Sequence, residues 1–483
     1  MDPTEPVSGT AGAAGTTRPA DGEKGWTALT GALDSMGVTR AHKTILFLVL
    51  AGGFFDVWEQ DSIGAVGPNL QQAWHISTTQ IGLLVTATLF AMVVGGIVAG
   101  MLGDVKGRRY VIVANLALYS LGALVCALAP NLAVLMIGRV VVGIGLGGEL
   151  AIGITLLAEV SPTKFRASSV AMYNVGAGGL GNPTAYGFGA LVLGVFGEFF
   201  GGTATSWRWF YGLLVIPGIL ILYYRRYLPE SPRYLLSKGR VQEANLVLSR
   251  LANGNLRARD IPVTPYLSEG ASAVPEREKV RFREIFSRRL LRGTLTVGIA
   301  AWMTFGAQNI VLSLLPTVLS DEGYDIANSL LFTMVINFGG LLGAIAASYL
   351  GYRVRRRMVA IPGGIIACIA AIGFGLARGS VAIILAGFAF QFFVLTLNTT
   401  IWAWSPELFP TRIRAFGTSV LLAVNLSAGA ILVPIAGGVF TGLGKAGLFG
   451  MVAVMYGVMT CLAVFAPETH GRPLNEDAAH RAA

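Results

Sequence analysis

Three carboxylates, Asp56, Glu59 and Asp61, crowd the segment GGFFDVWEQDSIG (Gly52–Gly64). The segment belongs to an apolar run that begins near Thr44. As a helix rising about 1.5 Å per residue, that run puts Asp56 roughly 18 Å deep. This is near the middle of a hydrocarbon layer of about 30 Å. A carboxyl taken out of water is costly and is kept there for a use. It can collect a proton on one side of a membrane and release it on the other. Asp56 and Glu59, three residues apart, share a helix face, and they are the candidate proton-coupling residues; Asp61 points elsewhere. The bland alternative is that one of these acids only balances a buried cation. A fourth apolar run offers one, Arg139, with Glu149 further along it. Arg139 can grip a solute carboxylate through paired hydrogen bonds, or it can neutralise Asp56 or Glu59. Glu149 suits a structural or a coupling role equally.

Aromatic and amide residues extend the list of candidate solute contacts: Trp58, Trp302, Phe305, Gln308, Asn309, Asn337, Gln391, Asn398, Trp402 and Trp404. An amide has no partner in hydrocarbon, so amides inside spans are the stronger candidates. Together they suit a small, partly flat organic solute. The chain offers no convincing nucleotide loop, metal-ligand cluster or nucleophile–base pair, so no cofactor and no catalytic residue are expected. The Gly-rich GIGLGGE (Gly143–Glu149) sits inside a span without a lysine or a preceding strand, and helix packing explains it better than phosphate binding.

The elements that must position these residues are membrane helices. The 483 residues are 54% hydrophobic and 13% charged, against about 25% charged in soluble domains. Twelve apolar runs are long enough to span a bilayer: 44–66, 81–102, 110–129, 133–157, 169–194, 208–227, 293–318, 329–351, 358–377, 380–403, 414–440 and 446–466. The net charge of +10 does not point to nucleic acid. Outside Arg139, only Arg208, Arg378 and Lys445 fall on one side of the membrane, and every other Lys and Arg falls on the opposite side. That bias places both termini in the cytoplasm. Cys126, Cys368 and Cys461 lie inside spans, where no disulfide is expected. Residues 1–43 read as a disordered tail and lead-in, 228–292 as a polar linker with short helices, and 467–483 as a second tail. Within the linker, SPRYLLSKGRVQEANLVLSRLANG reads as one or two amphipathic helices, residues 255–280 as loop, and Arg281–Gly293 as a basic surface helix.

The chain also repeats itself. LGDVKGRR (Leu102–Arg109) recurs as LGYRVRRR (Leu350–Arg357), and EVSPTKFRA (Glu159–Ala167) as ELFPTRIRA (Glu407–Ala415), both at an offset of 248. PESPR at Pro229 and PETHGR at Pro467 repeat at 238. The chain is therefore two six-helix halves, 44–227 and 293–466. Parallel repeats of this kind go with a solute site at their interface near the midplane. The acids break the symmetry. At an offset of 248, Asp56, Glu59 and Asp61 fall on Thr304, Ala307 and Asn309, so proton coupling must use first-half carboxylates.

LGDVKGRR, Gly138-Arg139, PESPR, PELFPTRIR and PETHGR resemble the major facilitator superfamily, and within it the sugar porters and the metabolite:proton symporters. The resemblance spans about residues 40 to 472. The sugar porters carry a Gln-Gln and Gly-x-Asn signature in the seventh helix, which WMTFGAQNIVLSLLPTVL (Trp302–Leu319) matches poorly. They also have Gly-Pro before a tenth-helix Trp, absent from NTTIWAWSPELFP (Asn398–Pro410). The first helix is more similar to that of the organic-acid and aromatic-acid symporters. The resemblance implies a conformational latch at the cytoplasmic face: Asp104, Arg108, Arg109, Glu159, Arg166 and Glu230 in the first half, Arg353, Arg356, Arg357, Glu407, Arg414 and Glu468 in the second. Tyr352 stands where the first copy has Asp104, which weakens one side of it.

The expectation is an all-α membrane protein of twelve helices in two bundles, a monomer in the plasma membrane. It carries a small organic or aromatic acid together with protons, by rocking of the two halves. A sugar or polyol:proton symporter is the nearest alternative, followed by a drug exporter and a receptor that binds its solute without moving it.

Overall fold

The computed structural model describes residues 19–258, 261–268, 282–350 and 353–469. Every regular element among them is helical. Helix α1 (Pro19–Met36) precedes the spans, which start with α2 (Arg40–Trp74), α3 (Thr78–Lys106), α4 (Arg108–Leu128) and α5 (Leu132–Val160). The fifth span is assembled from α6 (Thr163–Asn174), a π-helical turn Val175–Leu180, α7 (Gly181–Gly189) and a second such turn, Ala190–Val195. The sixth joins α8 (Gly202–Leu213) to α9 (Leu220–Tyr227). The linker holds α10 (Pro232–Ser237) and α11 (Val241–Asn253). The second half comprises α12 (Arg288–Asp321), α13 (Ile326–Leu350), α14 (Arg356–Leu376), α15 (Ser380–Glu407) and α16 (Thr411–Phe465).

Among the described residues ten helices are long and apolar enough to cross a bilayer. One of them, α16, is two spans, because Gly444 turns the chain with a φ of 64° that L-residues avoid. The irregular fifth span completes twelve. It is irregular because Pro183 lacks an N–H and its ring crowds the carbonyl of Gly179, so the helix widens ahead of it. Large apolar side chains such as Phe90, Leu128, Ile369 and Val381 stay exposed on the bundle surface, as lipid contact requires. GIGLGGE is helix packing: a Cβ on Gly147 would stand 2.7 Å from Met92 Cα of α3.

Among the described residues the halves meet mainly where α2 packs on α12, α3 on α16, and the fifth span on α13. These contacts are related by the internal repeat, since α2 corresponds to α12, α3 to α13, and the fifth span to the start of α16. The contacts lie towards the face opposite the charged motifs. Thr86 of α3 donates to the Ala430 carbonyl at 2.5 Å, and Tyr186 of α7 donates to the Leu312 carbonyl of α12.

Two expectations need correction. Part of the tail is ordered by packing: in α1, Leu29 and Leu33 lie one helical turn apart and are buried, and Trp26 packs against Arg233 of α10. Asp34 accepts from the Thr163 N–H at 2.6 Å and its hydroxyl at 3.0 Å, capping α6. Those bonds hold the exposed Asp34 carboxyl below its ordinary range. Residues 1–18 lie outside the described residues. The expected surface helix 281–293 is instead a short 3-10 turn, Phe282–Phe286, with α12 starting at Arg288. Ile285 is buried against Phe409, Ile413 and Leu421, which ties this segment to α16 rather than to the lipid surface. Tyr352 and the tail from 470 onward lie outside the described residues.

Candidate functional site

The acids of α2 separate into different environments. Glu59 is 1% exposed and pairs with Arg139 of α5, which is 0% exposed. Arg139 Nη1 stands 2.9 Å from Glu59 Oε1 and 3.0 Å from Ser62 Oγ. Nη2 donates to the Glu59 carbonyl at 3.1 Å, and Nε to Thr88 Oγ1 of α3 at 3.1 Å. Both ionic groups are thus desolvated together, and the guanidinium is held by three helices. Arg139 therefore balances Glu59 in this conformation, the second of the two roles open to it in the sequence. Neither Ser62 nor Thr88 was singled out from the sequence; a hydroxyl inside a span carries too common a signal.

Asp56 is buried, and neither carboxyl oxygen has a hydrogen-bond partner among the described residues. It lies within electrostatic reach of Glu149 and Glu59. Glu149 is buried as well; its Oε1 accepts from Tyr224 at 3.4 Å and its Oε2 has no partner. Tyr224 also donates to the Leu48 carbonyl at 2.9 Å, so it fixes α9 against α2 beside this pair of acids. The structure therefore brings Glu149 to Asp56, a proximity that spacing along separate helices could not reveal. Asp61 faces a small cleft between the halves, lined from α2, α3 and α12 by Gln60, Ile63, Val85, Thr88, Leu89, Asn309, Leu312 and Ser313.

The aromatic and amide candidates divide. Asn309 lines the cleft with Asp61, and its side chain donates to the Phe305 carbonyl at 2.9 Å. Asn398 donates to Gln308, and a second small cleft, within the second half, is lined by Phe305, Asn398, Trp402, Ser405, Thr418 and Asn425. Thr418 Oγ1 and Asn425 Oδ1 have no partner there. Trp302 donates to Ser427 at 3.2 Å, linking α12 to α16. Asn337 and Gln391 are buried between α13 and α15, where Gln391 donates to Asn337 Oδ1 at 2.9 Å and Asn337 donates to the Thr333 carbonyl at 2.9 Å. Trp58 donates to Thr184 at 3.0 Å and stacks on Phe188, inside the first half. Trp404 is buried and donates to the Pro467 carbonyl at 3.0 Å, and it lines neither cleft.

The charged motifs form two copies of one arrangement. In the first half Arg108 bridges Glu159 at 3.1 Å and Asp104 at 3.2 Å, and its guanidinium packs on Tyr234. Glu230 accepts from the backbone N–H of Arg108 at 2.8 Å and of Arg109 at 3.4 Å. In the second half Arg356 bridges Glu407 at 2.7 Å, and Glu468 accepts from the N–H of Arg356 at 3.0 Å and of Arg357 at 3.1 Å. Arg353 instead packs on Tyr349, and Arg357 donates to the Ala466 carbonyl at 2.6 Å. Arg166 donates to the Ser161 carbonyl at 3.4 Å, and Arg414 to the Phe409 carbonyl at 3.2 Å. These bonds all lie within one half.

Comparison with known proteins agrees with this architecture. The crystal structure of a D-xylose-proton symporter superposes with a TM-score of 0.68 at 19% identity, covering 89% of this chain and 98% of that one. The inward-open form of the xylose transporter XylE from E. coli gives 0.70 at 19% identity, covering 91% and 99%. A niacin transporter of Acinetobacter baylyi is 28% identical over 82% of this chain and 87% of its own length. A gallate transporter of Pseudomonas putida is 28% identical over 85% and 88%, and a D-xylose transporter of Levilactobacillus brevis 26% identical over 80% and 84%. The fold is shared with a solved proton:xylose symporter of the major facilitator superfamily; the family model for sugar (and other) transporters matches residues 31–479, and the chain belongs to that family.

Proposed function

We propose that this transporter carries a small organic acid, with an aromatic acid the first choice, together with a proton. It works as a monomer in the plasma membrane, with both termini and the charged motifs on the cytoplasmic side, by rocking of the two halves. The observation that carries this reading is the buried Arg139–Glu59 pair. Removing one member of such a pair leaves a desolvated charge, at a cost of about 3–5 kcal/mol. Arg139 therefore needs one anion at a time. A solute carboxylate can replace Glu59 there only if Glu59 is neutralised by a proton, so solute and proton bind together. Asp56, unpartnered and near Glu59, is the group that passes the proton on. The relatives named for niacin and gallate, both aromatic acids, support the substrate class.

The second reading is a sugar or polyol:proton symporter. It is favoured by the uncharged cleft of Asn398, Trp402 and Asn425 and by relatives named for xylose, glucose and polyols. Uptake into proteoliposomes under an imposed proton gradient separates the two, with nicotinate, gallate, xylose and glucose offered in turn. The expected result is uphill accumulation of an acid that a protonophore abolishes. Asp56→Asn and Glu59→Gln should fold, keep solute exchange between the two sides and lose uphill accumulation. Accumulation of sugars alone would favour the second reading, and accumulation unaltered in both variants would remove the α2 acids from proton coupling.

A further inference from the structure

Asp61 is the acid of α2 that the proton-coupling reading leaves unused. It is 5% exposed, no hydrogen bond or ion pair reaches it from the described residues, and its Oδ2 is enclosed without a partner. An acceptor kept buried without a donor needs an explanation. The explanation lies in what it faces. Asp61 opens onto the cleft between α2, α3 and α12, whose polar wall is Gln60, Thr88, Asn309 and Ser313 and whose remainder is aliphatic. Asp61 and Asn309 are equivalent positions of the two halves, 248 residues apart, so they meet where the repeat axis passes between α2 and α12. The same cleft reaches the cation: the Thr88 hydroxyl that lines it also accepts from Arg139 Nε at 3.1 Å.

A solute in this cleft thus meets two poles of opposite chemistry. Behind Thr88 stands a guanidinium, which only donates; Asp61, lining the cleft from α2, presents an enclosed oxygen that lacks a donor. We propose that Asp61 selects the solute by accepting a hydrogen bond from it, so that the solute is an acid carrying a separate hydroxyl or protonated nitrogen, and not a simple carboxylic acid. This rests on the acid symport reading and narrows it. A buried acceptor that the right solute satisfies is left unpaired by an analogue without the donor, and discrimination of this kind is steeper than that between apolar groups.

The test is equilibrium binding to the full chain in lipid nanodiscs, with three probes that share a ring and a carboxylate: benzoate, 4-hydroxybenzoate and 4-(aminomethyl)benzoate. The wild-type chain should bind at least one donor-bearing probe about tenfold or more tightly than benzoate. Asp61→Leu, which removes the acceptor, should shrink that ratio to within about threefold, whereas Asp61→Asn, whose side-chain carbonyl still accepts, should keep part of it. A wild-type chain for which neither donor-bearing probe outbinds benzoate overturns the proposal, whether or not the variants fold. So does an unchanged ratio in Asp61→Leu, as expected if Asp61 carried a proton instead of reading the solute. Proton movement is followed separately with a dye inside proteoliposomes. A donor preference that depends on Asp61 without proton uptake would sink symport and leave the selectivity site; proton-coupled uptake with no donor preference would do the reverse.

Discussion

Arg139 makes four hydrogen bonds inside the first half, two of them to Glu59, and it is fully buried. That arrangement predicts a characteristic pattern of stability. Glu59→Gln and Arg139→Met should each lower the melting temperature, because each leaves one desolvated charge, worth about 3–5 kcal/mol. The double variant should melt closer to the wild type than either single one, since it removes both charges at once. Additive losses, read from melts in detergent, would mean that the pair is solvated in solution. That these groups are buried was legible in the sequence, because the apolar run carries Asp56 and Glu59 well inside α2. Their partners were not. Asp56 and Glu59 share a face, yet one pairs with Arg139 and the other stands near Glu149, and Asp61, which points away from both, is the acid that faces the second half. Pairing depends on which neighbouring helix each face meets, and that is settled only by packing.

At the scale of elements, the regular spans followed from runs of apolar residues, whereas the fifth span and α1 did not follow from composition. The fifth span is bent by Pro183 into short pieces, and α1 is ordered by what it docks on. Asp34 caps α6 from a distant part of the chain, and its two bonds to Thr163 lower its pKa. A carboxyl with a depressed pKa contributes to docking above its ordinary pKa near 3.8 and loses that contribution as pH falls through the lower, docked value. That contribution is therefore present at neutral pH in the wild type. Asp34→Ala should raise hydrogen exchange in α1 at pH 7 while leaving α2 and α3 protected. Equal protection of α1 in variant and wild type would assign its docking to Trp26, Leu29 and Leu33 alone. A second element, the contact of α3 with α16, joins the halves on the face away from the motifs. A Cβ on Gly82 would stand 2.8 Å from Pro434 N and 3.1 Å from the Val433 carbonyl carbon, backbone atoms that cannot yield separately. Gly82→Val should wedge these helices apart and favour opening on the face away from the motifs. Spin labels at Thr79 and Thr441 should move apart, and an unchanged separation would show that the contact tolerates the side chain.

The whole molecule is built twice from one plan, and the charged motifs show how far the plan extends. The repeat at 248 was visible in the sequence, and so was its displacement to 238 for the last motif. In three dimensions that displacement leaves the chemistry intact: Glu230 and Glu468 cap the start of α4 and α14 in the same way, and Arg108 and Arg356 reach Glu159 and Glu407 in the same way. Arg356, not Arg353 or Arg357, holds the place of Arg108. Each half therefore carries a charged cluster already assembled before the two meet, with its long side chains immobilised by bonds inside that half. Such clusters can act in two ways. If they only brace their own half, Arg108→Ala and Arg356→Ala will lower the melting temperature and leave the balance of conformations alone. If they also interlock when the motif face closes, the same variants will open that face. We expect the second outcome. A solvent-exposed ion pair is worth only about 0–1 kcal/mol, but hydrogen bonds to charged groups that are partly buried are worth about 1.5–3. Since about 1.4 kcal/mol is a factor of ten, the loss of one such contact shifts a balanced equilibrium several-fold or more. Spin labels at Lys164 and Arg355, exposed on the motif face of opposite halves, report the change as a longer mean separation. Transport should slow, and solute affinity in the cleft at Asp61 should stay within about twofold of wild type, because no contact there is altered. An unchanged distance distribution in both variants, with lower melting temperatures, would confine the motifs to bracing each half.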